Sequence, residues 1–138
     1  MGAHVCLLFL KDGGFKVRGT VRDLNNQKKL APLQKAFGEY FNKLELVQAE
    51  LSDAESIDKA IEGADYVIHT ASPHPLNAPK NENLIIKPAV DGTLAVMRAC
   101  QKHKVKRCVI TSSVVAILEG GKENRKEVYD ESDWSQED

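Results

Sequence analysis

The stretch MGAHVCLLFLKDGGFKVRGTVRD, residues 1–23, divides at Gly13-Gly14. Ahead of the glycines, residues 3–11 are nearly all apolar, the character of a helix laid against a sheet. The glycines stop it, because glycine enters the left-handed conformation that closes a helix without steric cost. After them Phe15, Val17 and Val21 alternate with Lys16, Arg18 and Thr20, the two-residue period of a strand. Helix, turn and strand are the second half of a strand–helix–strand unit, and the helix is the first element the sequence offers.

The same rhythm continues downstream. Residues 25–38, NNQKKLAPLQKAFG, predict a helix opened by Asn25, with Pro32 as a weak point or a break. LELVQA at 44–49 predicts a second strand. Ser52-Asp53-Ala54-Glu55 has the spacing of a capping box, in which hydroxyl and carboxylate satisfy free donors at a helix start, and that helix runs to Gly63. DYVIHTA at 65–71 predicts a third strand, apolar enough for burial on both faces. A proline-broken loop, 72–82, leads to a long helix over 83–103 with Leu84, Ile85, Val90, Leu94, Met97 and Cys100 at helical spacing. RCVITSS at 107–113 predicts a fourth strand. From Glu119 the chain is polar and charged, as in a surface loop, a short covering helix or a frayed end. Strict alternation implies parallel strands joined by right-handed crossovers, an α/β doubly wound sheet. The expected organisation is one α/β unit over 1–118 and a polar surface segment over 119–138.

Bulk properties narrow the function classes. A chain of 138 residues suits one domain, and a net charge of −1 gives no electrostatic case for nucleic acid or an anionic membrane. Cys6, Cys100 and Cys108 are odd in number and widely spaced, so reduced thiols are expected rather than a disulfide framework. The apolar run at 5–10 lacks the length, basic leader and cleavage site of a signal peptide, and Cys6 stands where myristoylation needs Ser or Thr. No run is long enough to cross a membrane, and a cytoplasmic protein is expected. His69 and His74 stand five apart without H-x-x-x-H or C-x-x-C spacing, so no metal site is expected. His4 and His103 read as helix-surface residues.

Six segments carry a resemblance: KVRGTVRD at 16–23, LVQAELSD at 46–53, DYVIHTASP at 65–73, KPAVDGT at 87–93, KRCVITSS at 106–113 and YDESDW at 129–134. In this order and spacing they resemble the extended short-chain dehydrogenase/reductases, and among them the dihydroflavonol reductase, cinnamoyl-CoA reductase and anthocyanidin reductase group. The resemblance implies an incomplete Rossmann-type doubly wound parallel sheet. Its first strand and glycine loop would precede Gly2, so Met1 would fall inside the phosphate loop. It also implies a Tyr-x-x-x-Lys pair beyond the fourth strand. Here Tyr40, Tyr66 and Tyr129 are followed four residues on by Leu44, Thr70 and Asp133, so the sequence contains no such pair. The chain is therefore expected to be truncated at both ends.

What the resemblance implies for the site follows residue by residue. Gly2 matches the last glycine of the phosphate loop, at a helix start whose amides face the pyrophosphate. Arg22 stands where a basic residue accepts the 2′-phosphate of NADP, and Lys29 matches a second basic contact; a guanidinium fork suits phosphate oxygens. If the alignment shifted by one, Asp23 would be a ribose-binding acid and the cofactor NAD. Glu50 and Leu51 match an acidic–Leu pair beside the adenine. Thr70, Ala71 and Ser72 lie at the carboxyl end of the third strand, where small residues admit a dinucleotide. Ser113 matches the catalytic serine that hydrogen-bonds the substrate carbonyl, while tyrosine donates the proton and lysine lowers the tyrosine pKa.

The sequence thus predicts part of an NADP(H)-dependent oxidoreductase transferring hydride to or from a CH–OH or carbonyl group of a small organic substrate. A non-catalytic fragment or pseudoenzyme is the alternative. A further alternative is an NAD-dependent nucleotide-sugar epimerase or dehydratase, against which TVRD and YDESDW argue. A missing first strand would lie between the strands at 15–21 and 65–71, leaving each an unpaired edge. Each orphaned buried polar group costs about 1–3 kcal/mol, against a domain stability of about 5–15 kcal/mol. The expectations are marginal stability, weak or absent NADP(H) binding by this chain alone, and a gap that closes, is filled, or splits the sheet.

Overall fold

The computed structural model describes residues 1–73, 81–118 and 127–135. The alternation holds throughout. Helix α1 spans Gly2–Asp12, β1 Val17–Val21, α2 Gln27–Phe37, β2 Leu44–Gln48, α3 Ala54–Ile61, β3 Tyr66–His69, α4 Asn83–Lys102 and β4 Arg107–Ile110. Short 3₁₀ segments occupy Gly38–Lys43 and Val114–Ala116. Gly13 ends α1 with φ +78°, its N–H donating to the Phe9 carbonyl at 3.2 Å.

The caps depart from the sequence reading by one residue. Asn26, not Asn25, caps α2, its side chain accepting from the Lys29 N–H at 3.2 Å. Asn25 is held outside the helix because its own N–H donates to Asp23 Oδ1 at 2.8 Å. At α3 the cap is Asp53, whose Oδ1 accepts from the N–H groups of Glu55 and Ser56 at 3.1 and 3.2 Å. The Ser52–Glu55 capping box therefore does not form; a carboxylate one position later takes the Glu55 donor and the Ser56 donor instead. Pro32 lies inside α2 without ending it.

The strands form two separate parallel pairs. β1 pairs with β2 from Val17↔Leu44 to Val21↔Gln48, and β3 pairs with β4 from Tyr66↔Arg107 to His69↔Ile110. No ladder joins β1 to β3. The sheet is split, one of the three outcomes the sequence allows. β3 and β4 are shorter than predicted: one bond past the ladder, from the Thr111 N–H to the His69 carbonyl at 3.0 Å, ends the pairing. β3 is also not buried on both faces. Val67 and His69 face inward, but Tyr66 and Ile68 remain 55% and 39% exposed, since no described element covers that side.

The main core lies beneath the second pair. Ile57 and Ile61 of α3 pack with Val96, Ala99 and Cys100 of α4, and Val67, Val105 and Cys108 close against them. All three cysteines are free, and burial pushes the Cys100 thiol up to about 11, with Cys108 adding to the shift. The two halves are tied side to side by few groups. Arg18 Nη1 of β1 donates to the carbonyls of Ala60 and Glu62 at 3.0 and 2.8 Å, satisfying acceptors left free at the end of α3. Its Nε pairs with Glu45 of β2 at 3.0 Å. Phe15 meets Tyr66 edge to face, ring centroids 6.4 Å apart.

Past β4, the segment 127–135 returns to the 3₁₀ turn: the Ser135 N–H donates to the Ala116 carbonyl at 2.9 Å, and its hydroxyl donates to the carbonyls of Val115 and Leu118. The rest of the polar segment predicted for 119–138 lies outside the described residues.

Gly92 of α4 packs closely against Leu51, which follows β2. A Cβ there would stand 2.9 Å from Leu51 Cδ2 and 3.1 Å from the Leu51 carbonyl oxygen. Gly92→Ala is expected to destabilise the chain by about 1–3 kcal/mol through overpacking against backbone, despite the better helix propensity of alanine. Thermal or urea unfolding checks it, and an unchanged or raised midpoint would refute it.

Candidate functional site

The carboxyl ends of β1, β2 and β3 open into one cavity of about 920 Å³. Such edges are where open α/β sheets bind ligands. Its wall changes character around the rim. On the β1 side stand Arg22, just past the strand, and Lys29, in the first turn of α2. Neither cation has an ion pair or side-chain hydrogen bond among the described residues, in contrast to Arg18 on the same strand. Asp23 also lines the cavity, but one carboxylate oxygen is engaged by the Asn25 N–H of its own turn.

Glu50, Leu51 and Ser52 form the β2 side. Glu50 does not end the strand: β2 stops at Gln48, and Glu50 sits in the following turn, fixed by its N–H donating to Ser56 Oγ at 3.1 Å. Ser56 Oγ in turn donates to the Asp53 carbonyl at 2.8 Å. The cap of α3 and the placement of Glu50 are thus one network. Thr70, Ala71 and Ser72 close the β3 side, facing Leu84, Ile85 and Pro88 of α4. Gly2 is not on the cavity wall, but lies behind it: a Cβ on Gly2 would stand 2.9 Å from Thr70 Oγ1. Glycine is what lets the start of α1 approach β3 this closely.

Ser113 stands apart. It caps the 3₁₀ turn, its exposed Oγ accepting from the Val115 N–H at 3.3 Å, and it does not line the cavity. The structure therefore brings together seven of the residues singled out in sequence — Arg22, Lys29, Glu50, Leu51, Thr70, Ala71 and Ser72 — and leaves Gly2 adjacent and Ser113 outside. Sequence reading missed Asn26 and the α4 face at 84, 85 and 88. The signal for the first was an Asn three residues before Lys29; for the second, helical spacing beside a proline. Among the described residues no cluster of three or more His, Cys, Asp or Glu forms a ligand set, and His74 lies outside them. No helix among the described residues is long and apolar enough to cross a membrane.

Two parallel β–α–β crossovers with ends that share one cavity define an incomplete Rossmann-type fold, and the structural comparisons agree. Vestitone reductase from alfalfa (Medicago sativa) superposes with a TM-score of 0.71 at 34% identity, over 96% of this chain and 39% of that one. By sequence, residues 1–136 match the model of the 3-beta hydroxysteroid dehydrogenase/isomerase family, and the chain belongs to that family. A bifunctional dihydroflavonol 4-reductase/flavanone 4-reductase of Malus domestica is 43% identical over 130 residues, 91% of this chain and 36% of the relative. Anthocyanidin reductase of Arabidopsis thaliana is 34% identical over 134 residues, 96% of this chain and 39% of the relative. The chain thus spans little more than a third of the length of these relatives.

His69, the last residue of β3, is 8% exposed, and burial pushes its imidazole below the ordinary histidine value. The unfolded chain therefore binds the proton more readily, so His69 contributes stability above about pH 6.5 that is lost as pH falls through the folded value. Unfolding free energy is expected to decline from pH 7 to pH 5, with a shallower slope in His69→Gln. Denaturant titrations across that range test it; parallel slopes for the two proteins would exclude this role.

Proposed function

We propose that this chain carries the adenosine-side part of an NADP(H) site, within an oxidoreductase that moves hydride between the cofactor and a carbonyl or CH–OH group of a small organic molecule. One observation carries the reading. Arg22 and Lys29 line the same cavity as Glu50, Leu51 and the Thr70–Ser72 corner, with neither cation engaged by an anion among the described residues. That donor set fits a phosphate, and the small opposite corner admits a flat nucleoside. Family membership and the reductase relatives support the reaction class.

In this reading Arg22 and Lys29 hold the 2′-phosphate, and Asn26 keeps the first turn of α2 in place beneath Lys29. Glu50 and Leu51 flank the adenine. When bound, the nicotinamide supplies or accepts the hydride. Ser113 orients the substrate carbonyl: its oxygen accepts from Val115, which leaves its proton free to donate. A second reading, a non-catalytic protein, is favoured by the position of Ser113 off the cavity. NADPH consumption in the presence of a small carbonyl substrate separates the two.

Because half the cavity hangs on each strand pair, NADP(H) is expected to bind this chain weakly. Adenosine 2′,5′-bisphosphate is expected to bind about tenfold or more tightly than 5′-AMP, since a charged hydrogen bond to phosphate contributes about 1.5–3 kcal/mol. Arg22→Ala should narrow the difference, and Arg22→Ala combined with Lys29→Ala should bring the two affinities level. Titration by NMR shift perturbation reads both. Equal affinities in the unmodified chain would overturn the NADP(H) reading, and strong thermal stabilisation by NADPH would overturn the weak binding.

A further inference from the structure

Asn25 and Asn26 are neighbours at the start of α2, and the fold gives them different tasks. Asn25 is exposed, its N–H is bound to Asp23 Oδ1, and it is not on the cavity wall. Asn26 is half-buried and lines the cavity together with Arg22 and Lys29. An asparagine amide has two unlike branches: an acceptor oxygen, and an NH2 that carries two donors. Chemistry fixes which branch faces the helix, because the Lys29 N–H, 3.2 Å away, is a donor and only the oxygen can accept from it. Nδ2 is therefore the branch turned away from that N–H, and neither of its protons meets an acceptor among the described residues.

Capping alone does not call for this NH2. Asp caps as well as Asn, and the helix dipole favours the carboxylate. At α3 the cap is a carboxylate, Asp53, and both of its branches are acceptors. At α2, where Arg22 and Lys29 stand without an anionic partner among the described residues, the cap is neutral and its spare branch is a donor. The wall thus has three side chains with donors to offer, two charged and one held in place at its own oxygen.

We infer, resting on the NADP(H) reading above, that Asn26 is a third ligand of the 2′-phosphate: Nδ2 donates to a phosphate oxygen while Oδ1 keeps the cap. The two cations bring charge on long, flexible stems, and the amide brings direction. Without the cations the amide adds little, because a solvent-exposed neutral donor exchanges a bond to water for one to phosphate. With them it sharpens the choice between a 2′-phosphate and a 2′-hydroxyl.

The test titrates the full chain with adenosine 2′,5′-bisphosphate and with 5′-AMP, followed by two-dimensional NMR. Asn26→Ser keeps a neutral cap of similar strength but lacks the amide donor and is one atom shorter. The affinity ratio of the two probes is expected to fall about fivefold or more, with hydrogen exchange at the Lys29 amide and the thermal midpoint unchanged. Asn26→Asp, which caps and presents only acceptors, is expected to lower the ratio further. In the unmodified chain the Asn26 side-chain amide resonances are expected to shift with the bisphosphate and not with 5′-AMP. A ratio unchanged in both variants, or side-chain resonances that do not respond to the bisphosphate, would overturn the role of Asn26 and leave the NADP(H) reading standing. A lower ratio that comes with faster exchange at Lys29 and unshifted side-chain resonances assigns the effect to the cap and overturns it too. Equal affinities in the unmodified chain, or no binding of either probe, would overturn both.

Discussion

The ladder that β1 and β3 do not make governs everything else in this molecule. In an unbroken parallel sheet, backbone bonds fix the spacing of neighbouring strands, and side chains merely decorate it. Here the two pairs are positioned by a handful of other contacts. Arg18 spans from β1 to the end of α3, Ser56 ties the turn after β2 to the cap of α3, and Leu51 seats against Gly92 of α4. α3 and α4 carry the main core and the second strand pair with it. The cavity depends on these ties, because Arg22 and Lys29 belong to one half and Thr70–Ser72 to the other.

The arginines of the β1 segment divide the electrostatic work. Arg18 lies within the ladder and is consumed by structure: its donors meet two helix-end carbonyls and a carboxylate. A guanidinium suits this because several acceptors can be met at once from one planar group. Arg22 lies one residue beyond the strand, where the chain turns, and its head group meets no carboxylate among the described residues. Asp23, its neighbour, has an oxygen occupied by the turn, so the local acid is directed to backbone rather than to Arg22. The same division recurs at α3: Asp58 is held below the ordinary carboxylate value by the Lys102 ammonium, with His103 on its other oxygen, and those charges serve packing.

Element type and order were legible in the sequence because they rest on local periodicity. The alternation of Val17 and Val21 with Arg18 and Thr20, and the left-handed Gly13, are properties of short windows. The caps were displaced by one residue because Asn25 and Asn26, or Ser52 and Asp53, offer equivalent chemistry, and only the path of the incoming turn selects between them. The burial of β3 was misread because an apolar strand shows what it tolerates, not what covers it; Tyr66 and Ile68 await a cover that depends on distant elements. Most of the cavity wall was legible only through family resemblance, since nothing local distinguishes Arg22 from any other basic residue at a strand end.

In the proposed reading, the placement of Ser113 would separate the cavity from the chemistry. Residues that would recognise the adenosine side are set by β1, β2 and the caps of α2 and α3, all of which are complete here. Ser113 is set by β4 and the turn after it, and β4 pairs with β3 alone, not with the first strand pair. A change in the spacing between β1 and β3 is therefore a step that moves Ser113 relative to Arg22 and reshapes the cavity the two halves share. Recognition of a phosphate tolerates such a step, because a guanidinium on a long side chain can follow its anion. Hydride transfer does not, because the reacting atoms must stay within about 3–3.5 Å of one another. On the proposed function, the join between the two strand pairs would be a tighter constraint on catalysis than on binding.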